Sequence, residues 1–134
     1  MDLERVGVQQ SNELIAWCAG LFDGEGNVNY AQYNVKGKNC KKWNVGMEVA
    51  MIDLDTIHFF HQVIGEGTIH YKKNRGLGRK PQWRWRCSHQ QALRVAKKLI
   101  KYSTTKREKL LKIINHYEFV KARNPLDKKR FLGI

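Results

Sequence analysis

From Leu14 to Phe22 almost every side chain is apolar or small, which predicts a helix with no polar stripe. Ser11 and Asn12 ahead of it are good N-caps, and Glu13 sits favourably against the positive helix end. A helix apolar all round must be covered on both faces, which is unusual for the first helix of a small domain. From Asn27 the period changes to two, with Val28, Tyr30 and Gln32 alternating against Asn27, Asn29, Ala31 and Tyr33. A lysine-rich link, Lys36 to Lys42 with Gly37 inside it, leads to a second strand over about Trp43–Ile52. Asp53 is placed to cap a second helix with Ile57, Phe60 and Ile64 on one face and Gly65 at its end. Thr68–Lys72 predicts a short strand, residues 74–81 a basic loop, and Gln82–Cys87 a strictly alternating strand. Ser88 with Gln91, and Thr105 with Glu108, have the spacing of capping boxes for two last helices. The first of these bears Leu93, Ala96, Leu99 and Ile100, the second Leu110, Ile113, Ile114 and Tyr117, and Asn124-Pro125 ends it.

The order is therefore αββαββαα, an α+β domain built on one four-stranded antiparallel sheet. Residues 1–10 read as an N-terminal arm, 11–124 as a single domain, and 125–134 as a basic tail carrying Lys128-Lys129-Arg130. No internal repeat or long linker divides the 134 residues.

Charge narrows the function. Lys and Arg number 25 against 12 Asp and Glu, a net charge of +13. Such self-repulsion points to a polyanionic partner: nucleic acid first, an anionic membrane surface second. The plainer alternatives are a solubilising surface or a ribosome-associated protein. The longest apolar run, Leu14–Phe22, is too short to cross a bilayer, and the first residues, Met1-Asp2-Leu3-Glu4, lack a secretory pattern. Three widely spaced cysteines (Cys18, Cys40, Cys87) without a CxxC pair suggest neither a disulfide framework nor a zinc site, and fit a reducing, intracellular setting.

Ala16, Gly20 and Gly24 are spaced by four and so share one stripe of the first helix. Glycine inside a helix costs roughly 0.5–1 kcal/mol relative to alanine. Close approach of another helix is a reason to accept that cost twice. Two acidic residues, Asp23 and Glu25, follow at the helix end of a very basic chain. The segment Cys18-Ala19-Gly20-Leu21-Phe22-Asp23-Gly24-Glu25-Gly26 resembles the motif that names the LAGLIDADG homing endonucleases, with cysteine for the first leucine and glutamate for the second acidic residue. Val49–Asp53, and Gly65–Ile69 beyond the second helix, also look family-like, so the resemblance spans roughly residues 11–120.

The resemblance implies an αββαββα domain whose sheet forms a DNA-binding saddle with helices on its other face. Only one motif is present, so two chains must supply the pair, giving a homodimer through Ala16, Gly20 and Gly24. By motif position Glu25 is the catalytic carboxylate and metal ligand, the Gly24 carbonyl an added ligand, and Asp23 structural. The implied cofactor is Mg²⁺, with Mn²⁺ able to substitute and Ca²⁺ supporting binding without turnover. A basic catalytic residue is expected at the start of the last core helix: Lys106, with Lys101 as the alternative. The activity implied is cleavage of both strands of a long pseudo-palindromic DNA target, mobilising an intron or similar element. The alternative on the same fold is an inactive nucleic-acid binder, an intron RNA maturase or a DNA-binding regulator. Outside the family, a monomeric basic RNA-binding α+β module stays open. A bacterial or phage cytoplasm, a chloroplast and a mitochondrion are all compatible locations.

If Glu25 faces DNA, strand alternation puts Asn27, Asn29, Ala31 and Tyr33 on the same face. Lys42, Asn44 and Glu48 share one parity on the second strand, His70 and Lys72 follow on the third, and Arg84 and Arg86 on the fourth. Asparagine can pair with adenine and arginine with guanine in the major groove, while Trp83 and Trp85 should pack beneath the sheet. The loop from Lys73 to Lys80 and the tail Lys128–Arg130 are expected on phosphates.

Overall fold

The computed structural model describes residues 11–73 and 80–121. The arm 1–10, the loop residues 74–79, the Asn124-Pro125 stop and the basic tail lie outside the described residues.

Helix α1 (Asn12–Glu25) begins where the Ser11 hydroxyl accepts the Leu14 amide at 3.2 Å. It hands over directly to strand β1 (Gly26–Asn34): the Gly26 amide donates to the Phe22 carbonyl, and a Cβ at Gly26 would run into the Phe22 ring. Strand β2 (Lys41–Met51) returns antiparallel to β1. Helix α2 (Leu54–Ile64) is capped by Asp53, whose carboxylate accepts the Asp55 amide at 3.1 Å and the Thr56 hydroxyl at 2.8 Å. It ends at Gly65 in the left-handed conformation (φ 78°) that favours glycine. Strands β3 (Thr68–Lys72) and β4 (Gln82–Ser88) follow, then helices α3 (Gln90–Leu99) and α4 (Arg107–Lys121). The element order αββαββαα and the four-stranded antiparallel sheet, ordered β1-β2-β4-β3, agree with the sequence reading.

The pairing register sorts the side chains. Tyr30 opposes Val45, Val28 opposes Met47 and then Cys87, and Val49 opposes Trp85 and then Ile69. These rows face the helices, which cover them with Cys18, Ala19, Phe22, Ile57, Phe60, Val95, Leu99, Leu110 and Ile113. Trp85 is fully buried, meets Phe60 edge-on at 4.8 Å, and satisfies its indole N–H on the Glu66 carbonyl at 2.8 Å. Truncating such a side chain to alanine typically costs about 3–5 kcal/mol. Trp83 is half-buried against Tyr71, so both tryptophans lie on the helix side as their parity predicts.

Two local expectations are corrected. Ser88 does not cap α3: it stays in β4, paired with Gly46, and His89 turns the chain at φ 54° with no side-chain cap bond. Strand pairing outcompetes the capping box there, and the His89 amide is satisfied on the Val45 carbonyl at 2.9 Å. Thr105 does not open α4, which starts at Arg107; the turn before it is held from α1 by Asp23. Within one chain, α1 is covered on one face, which leaves its other face for a partner to cover, as a helix apolar all round requires. Leu14, Ile15, Cys18, Ala19 and Phe22 are buried, while Gly20, Gly24 and Trp17 (40% exposed) face outward.

Candidate nucleic-acid interface

Opposite the core, the same register lines up the other parity. Asn27 opposes Glu48, which opposes Arg86, which opposes Thr68, one side chain from each of the four strands. Asn29 opposes Gly46 and then Ser88; Ala31 opposes Asn44; Tyr33 opposes Lys42; Ala50 opposes Arg84 and then His70; Lys72 opposes Gln82. Alternation therefore brings all ten nominated side chains (Asn27, Asn29, Tyr33, Lys42, Asn44, Glu48, His70, Lys72, Arg84, Arg86) to the face of the sheet away from the core. Most of them are exposed, Tyr33 half so. The face is held by its own contacts: Asn27 donates to Asn29 at 3.4 Å, the Thr68 hydroxyl meets His70 Nε2 at 2.8 Å, and Glu48 pairs with Arg84 at 3.5 Å.

A groove of about 350 Å³ lies in this face, lined by Asn29, Asn44, Thr68, His70, Arg86, Ser88 and Gln91 among others. Ser88 and Gln91 were assigned to a cap by sequence reasoning and so missed as part of the surface. Strand parity was the available signal for Ser88, which falls in step with Arg84 and Arg86.

The two acidic residues at the end of α1 meet opposite fates. The Asp23 carboxylate accepts the Ser103 hydroxyl at 2.5 Å, the Thr104 amide at 2.9 Å, the Thr104 hydroxyl at 3.2 Å and the Lys106 amide at 3.1 Å. Burial by itself would raise its pKa, but these hydrogen bonds from Ser103, Thr104 and Lys106 outweigh that and hold it below the ordinary carboxylate value. Glu25, two residues on, is exposed, and no hydrogen bond or ion pair engages it among the described residues. It sits in the last turn of a helix with no basic residue in that turn, where the macrodipole is negative and a carboxylate is disfavoured.

Lys106 reaches this helix end directly, its Nζ donating to the Asp23 carbonyl at 3.1 Å. It precedes α4 instead of lying inside it. Lys101 points elsewhere: it lines a cavity of about 230 Å³ with Asn12, Ile15, Lys97, Lys98 and Tyr102, at the beginning of α1. A helix of this length puts the two ends about 20 Å apart. Gly20 and Gly24 lie on the uncovered side of α1, where an added Cβ would meet nothing within 4 Å, and Ala16 beside them is half-buried. Among the described residues no three His, Cys, Asp or Glu side chains come together as a metal-binding group. No described helix is long and apolar enough to cross a membrane.

No protein-family model matches the chain, and no curated protein matches it in sequence. Solved structures do match. The homing endonuclease I-CvuI, in complex with the I-CreI target, superposes with a TM-score of 0.65 at 18% identity, over 87% of this chain and 73% of that one. The archaeal intron-encoded homing endonuclease I-Vdi141I, complexed with DNA, gives a TM-score of 0.65 at 11% identity, over 87% of this chain and 76% of that one. The LAGLIDADG homing endonuclease I-GzeII, in complex with its DNA target, gives 0.61 at 15% identity, over 83% of this chain but 38% of that one. Identities this low speak to architecture, and the architecture agrees with the motif at Cys18–Gly26: the chain has the fold seen in the LAGLIDADG homing endonucleases.

Proposed function

We propose that the chain is a site-specific DNA endonuclease that works as a homodimer and uses Mg²⁺ to cut both strands of a long pseudo-palindromic target, mobilising an intron or similar element. One observation carries this reading. The helix that ends in the unengaged Glu25 carboxylate runs without a loop into a strand whose outer face belongs to a continuous polar and basic sheet surface. A two-stranded β ribbon fits the major groove, where base edges are distinguishable.

The residues present fit a hard divalent ion. A carboxylate at the negative end of a helix is stabilised by a cation and by little else there. Gly24 lies in the last turn, where carbonyls run out of helical partners, so the Glu25 carboxylate and the Gly24 carbonyl are the groups that would hold the ion. Mg²⁺ accepts a site with few protein oxygens, its shell completed by water and phosphate, and Mn²⁺ accepts similar ligands. When bound, the ion supplies an activated water and neutralises charge on the leaving oxygen. Lys106 brings an ammonium to the same helix end, where it can stabilise charge developing on the phosphate.

The dimer is supported by the uncovered apolar side of α1, with Ala16, Gly20 and Gly24 on it. Two such helices packed about a two-fold axis would bury that side and bring two Glu25 carboxylates together.

The test is a randomised library of two-fold symmetric duplexes incubated with protein in Mg²⁺ and separately in Ca²⁺, with Glu25→Gln in parallel. Cleavage of one symmetric consensus in Mg²⁺, lost in Glu25→Gln while binding in Ca²⁺ persists, is the expected result. Undiminished cleavage by Glu25→Gln removes the catalytic assignment. Specific binding without any cleavage moves the chain to a regulator, and tight binding to structured intron RNA instead moves it to a maturase.

A further inference from the structure

Glu48 is the one acidic side chain on the outer sheet face among the described residues. On a surface for a polyanion an acid costs affinity against every sequence equally, so its presence calls for a sequence-dependent return. Its surroundings are specific. A single oxygen, Oε2, lies 3.5 Å from Arg84 Nη1 and 3.9 Å from Arg86 Nε. The two arginines differ in exposure: the Arg86 side chain is 52% exposed, that of Arg84 25%. Arg84 Nε is buried with no hydrogen-bond partner. Arg84 is thus a largely sunken cation that pins the Glu48 carboxylate from within the sheet surface, while Arg86 presents its fork outward.

We infer that Glu48 and Arg86 together read one G·C base pair in each half of the target, with Arg84 as the positioning residue. This rests on the sheet face being the DNA-reading surface. An arginine fork matches the two major-groove acceptors of guanine, and a carboxylate accepts the amine of cytosine, so the pair of side chains mirrors the two edges of one G·C pair. Glu48 also restrains Arg86, which left alone would settle on the nearest phosphate and carry no sequence information. A carboxylate has about four lone-pair sites, and holding the arginines through one oxygen leaves acceptor capacity for a base amine. The position of the base pair also follows. Glu48 and Arg86 lie in the row that begins at Asn27, the second residue of β1, two positions after the helix-end Glu25. The G·C pair therefore lies toward the cleavage-proximal end of each half-site.

Glu48→Gln and Arg86→Lys test this, in Ca²⁺, by selection from duplexes with one randomised half-site, each variant's thermal melt being recorded alongside. Glu48→Gln is isosteric but no longer accepts with both oxygens; Arg86→Lys keeps the charge and loses the fork. The parent should enrich a G·C pair at one cleavage-proximal position. Both variants should lose that preference by about tenfold or more, the discrimination one good two-point contact supplies, with the other positions unchanged. Glu48→Gln should in addition bind sequences lacking that pair more tightly, since it removes a negative charge. The inference is overturned if the parent enriches a site whose G·C preference both variants keep, or if the variants flatten every position equally. A parent that enriches no sequence at all overturns the reading of the sheet face as well, and so is told apart from failure of this inference alone.

Discussion

Asp23 and Lys106 are joined twice, from opposite ends of the fold: the Lys106 amide donates to the Asp23 carboxylate at 3.1 Å, and its ammonium donates to the Asp23 carbonyl, also at 3.1 Å. The carboxylate caps a turn 80 residues away in sequence, and the carbonyl fixes the lysine at the end of the helix that presents Glu25. Asp23→Asn keeps one acceptor oxygen and loses the charge and the second oxygen. It should destabilise the domain by about 1–2 kcal/mol, the scale of a lost cap, and slow cleavage more than it weakens binding. Thermal melting and paired cleavage and binding assays check both parts.

The same carboxylate gives a pH signature. Its folded pKa is lowered, so its contribution to stability is fully present above the unfolded value of about 3.9 and is lost as pH falls from there through the lower folded value. The gap in melting temperature between parent and Asp23→Asn should be constant near neutrality and close in acid. A gap that widens below pH 4 would contradict this account.

Lys106 and Lys101 are separable by position. Lys106→Ala should lower the cleavage rate by roughly 10²-fold or more with binding nearly intact, as loss of one charge-stabilising donor does elsewhere. Lys101→Ala, at the far end of α1, should leave the rate within a factor of about two and reduce only the salt dependence of binding. Single-turnover cleavage compared with binding in Ca²⁺ distinguishes them.

Gly20→Ala should do two opposite things. Within one chain its Cβ meets nothing, so the helix gains the usual 0.5–1 kcal/mol or so of alanine over glycine. Between two helices the added methyl holds the backbones apart. Sedimentation should show a weaker dimer while the monomer melts no lower than the parent; an unchanged dimer would remove Gly20 from the interface.

Cysteine reactivity offers a check on the core. Burial pushes the Cys18 thiol up to about 12, and burial with the nearby Glu66 charge does the same for Cys87. Cys40 is exposed. A thiol reagent at pH 8 should modify one cysteine in the folded protein and all three in denaturant.

How much of this was legible in sequence depends on the range of the forces involved. The Ser11 and Asp53 caps, the Gly65 stop and the strand alternation are local, and each appears where the residues put it. Parity alone sorted the outer face from the core, because a side chain in a strand has only two directions to take. The two capping boxes failed because each met a stronger, non-local partner: Ser88 is kept in the sheet by Gly46, and the turn before α4 is capped by Asp23. Motif position already set Asp23 apart from Glu25 as the structural carboxylate, but its partners, residues 103–106, lie about 80 positions away and appear only in the fold. The Glu48 contacts with both arginines likewise needed the β2–β4 register to appear.

Gly26 closes α1 and opens β1 in the same residue, with the Phe22 ring filling the space a side chain would need. No hinge separates the helix that would pair two chains from the strand that would read bases. In a two-fold assembly the sheets are then mounted on a common axle, and the interval between them is a fixed gauge. A target with one base pair added or removed between its halves would find no slack in the protein to absorb the change. Such a molecule measures its site as well as spelling it.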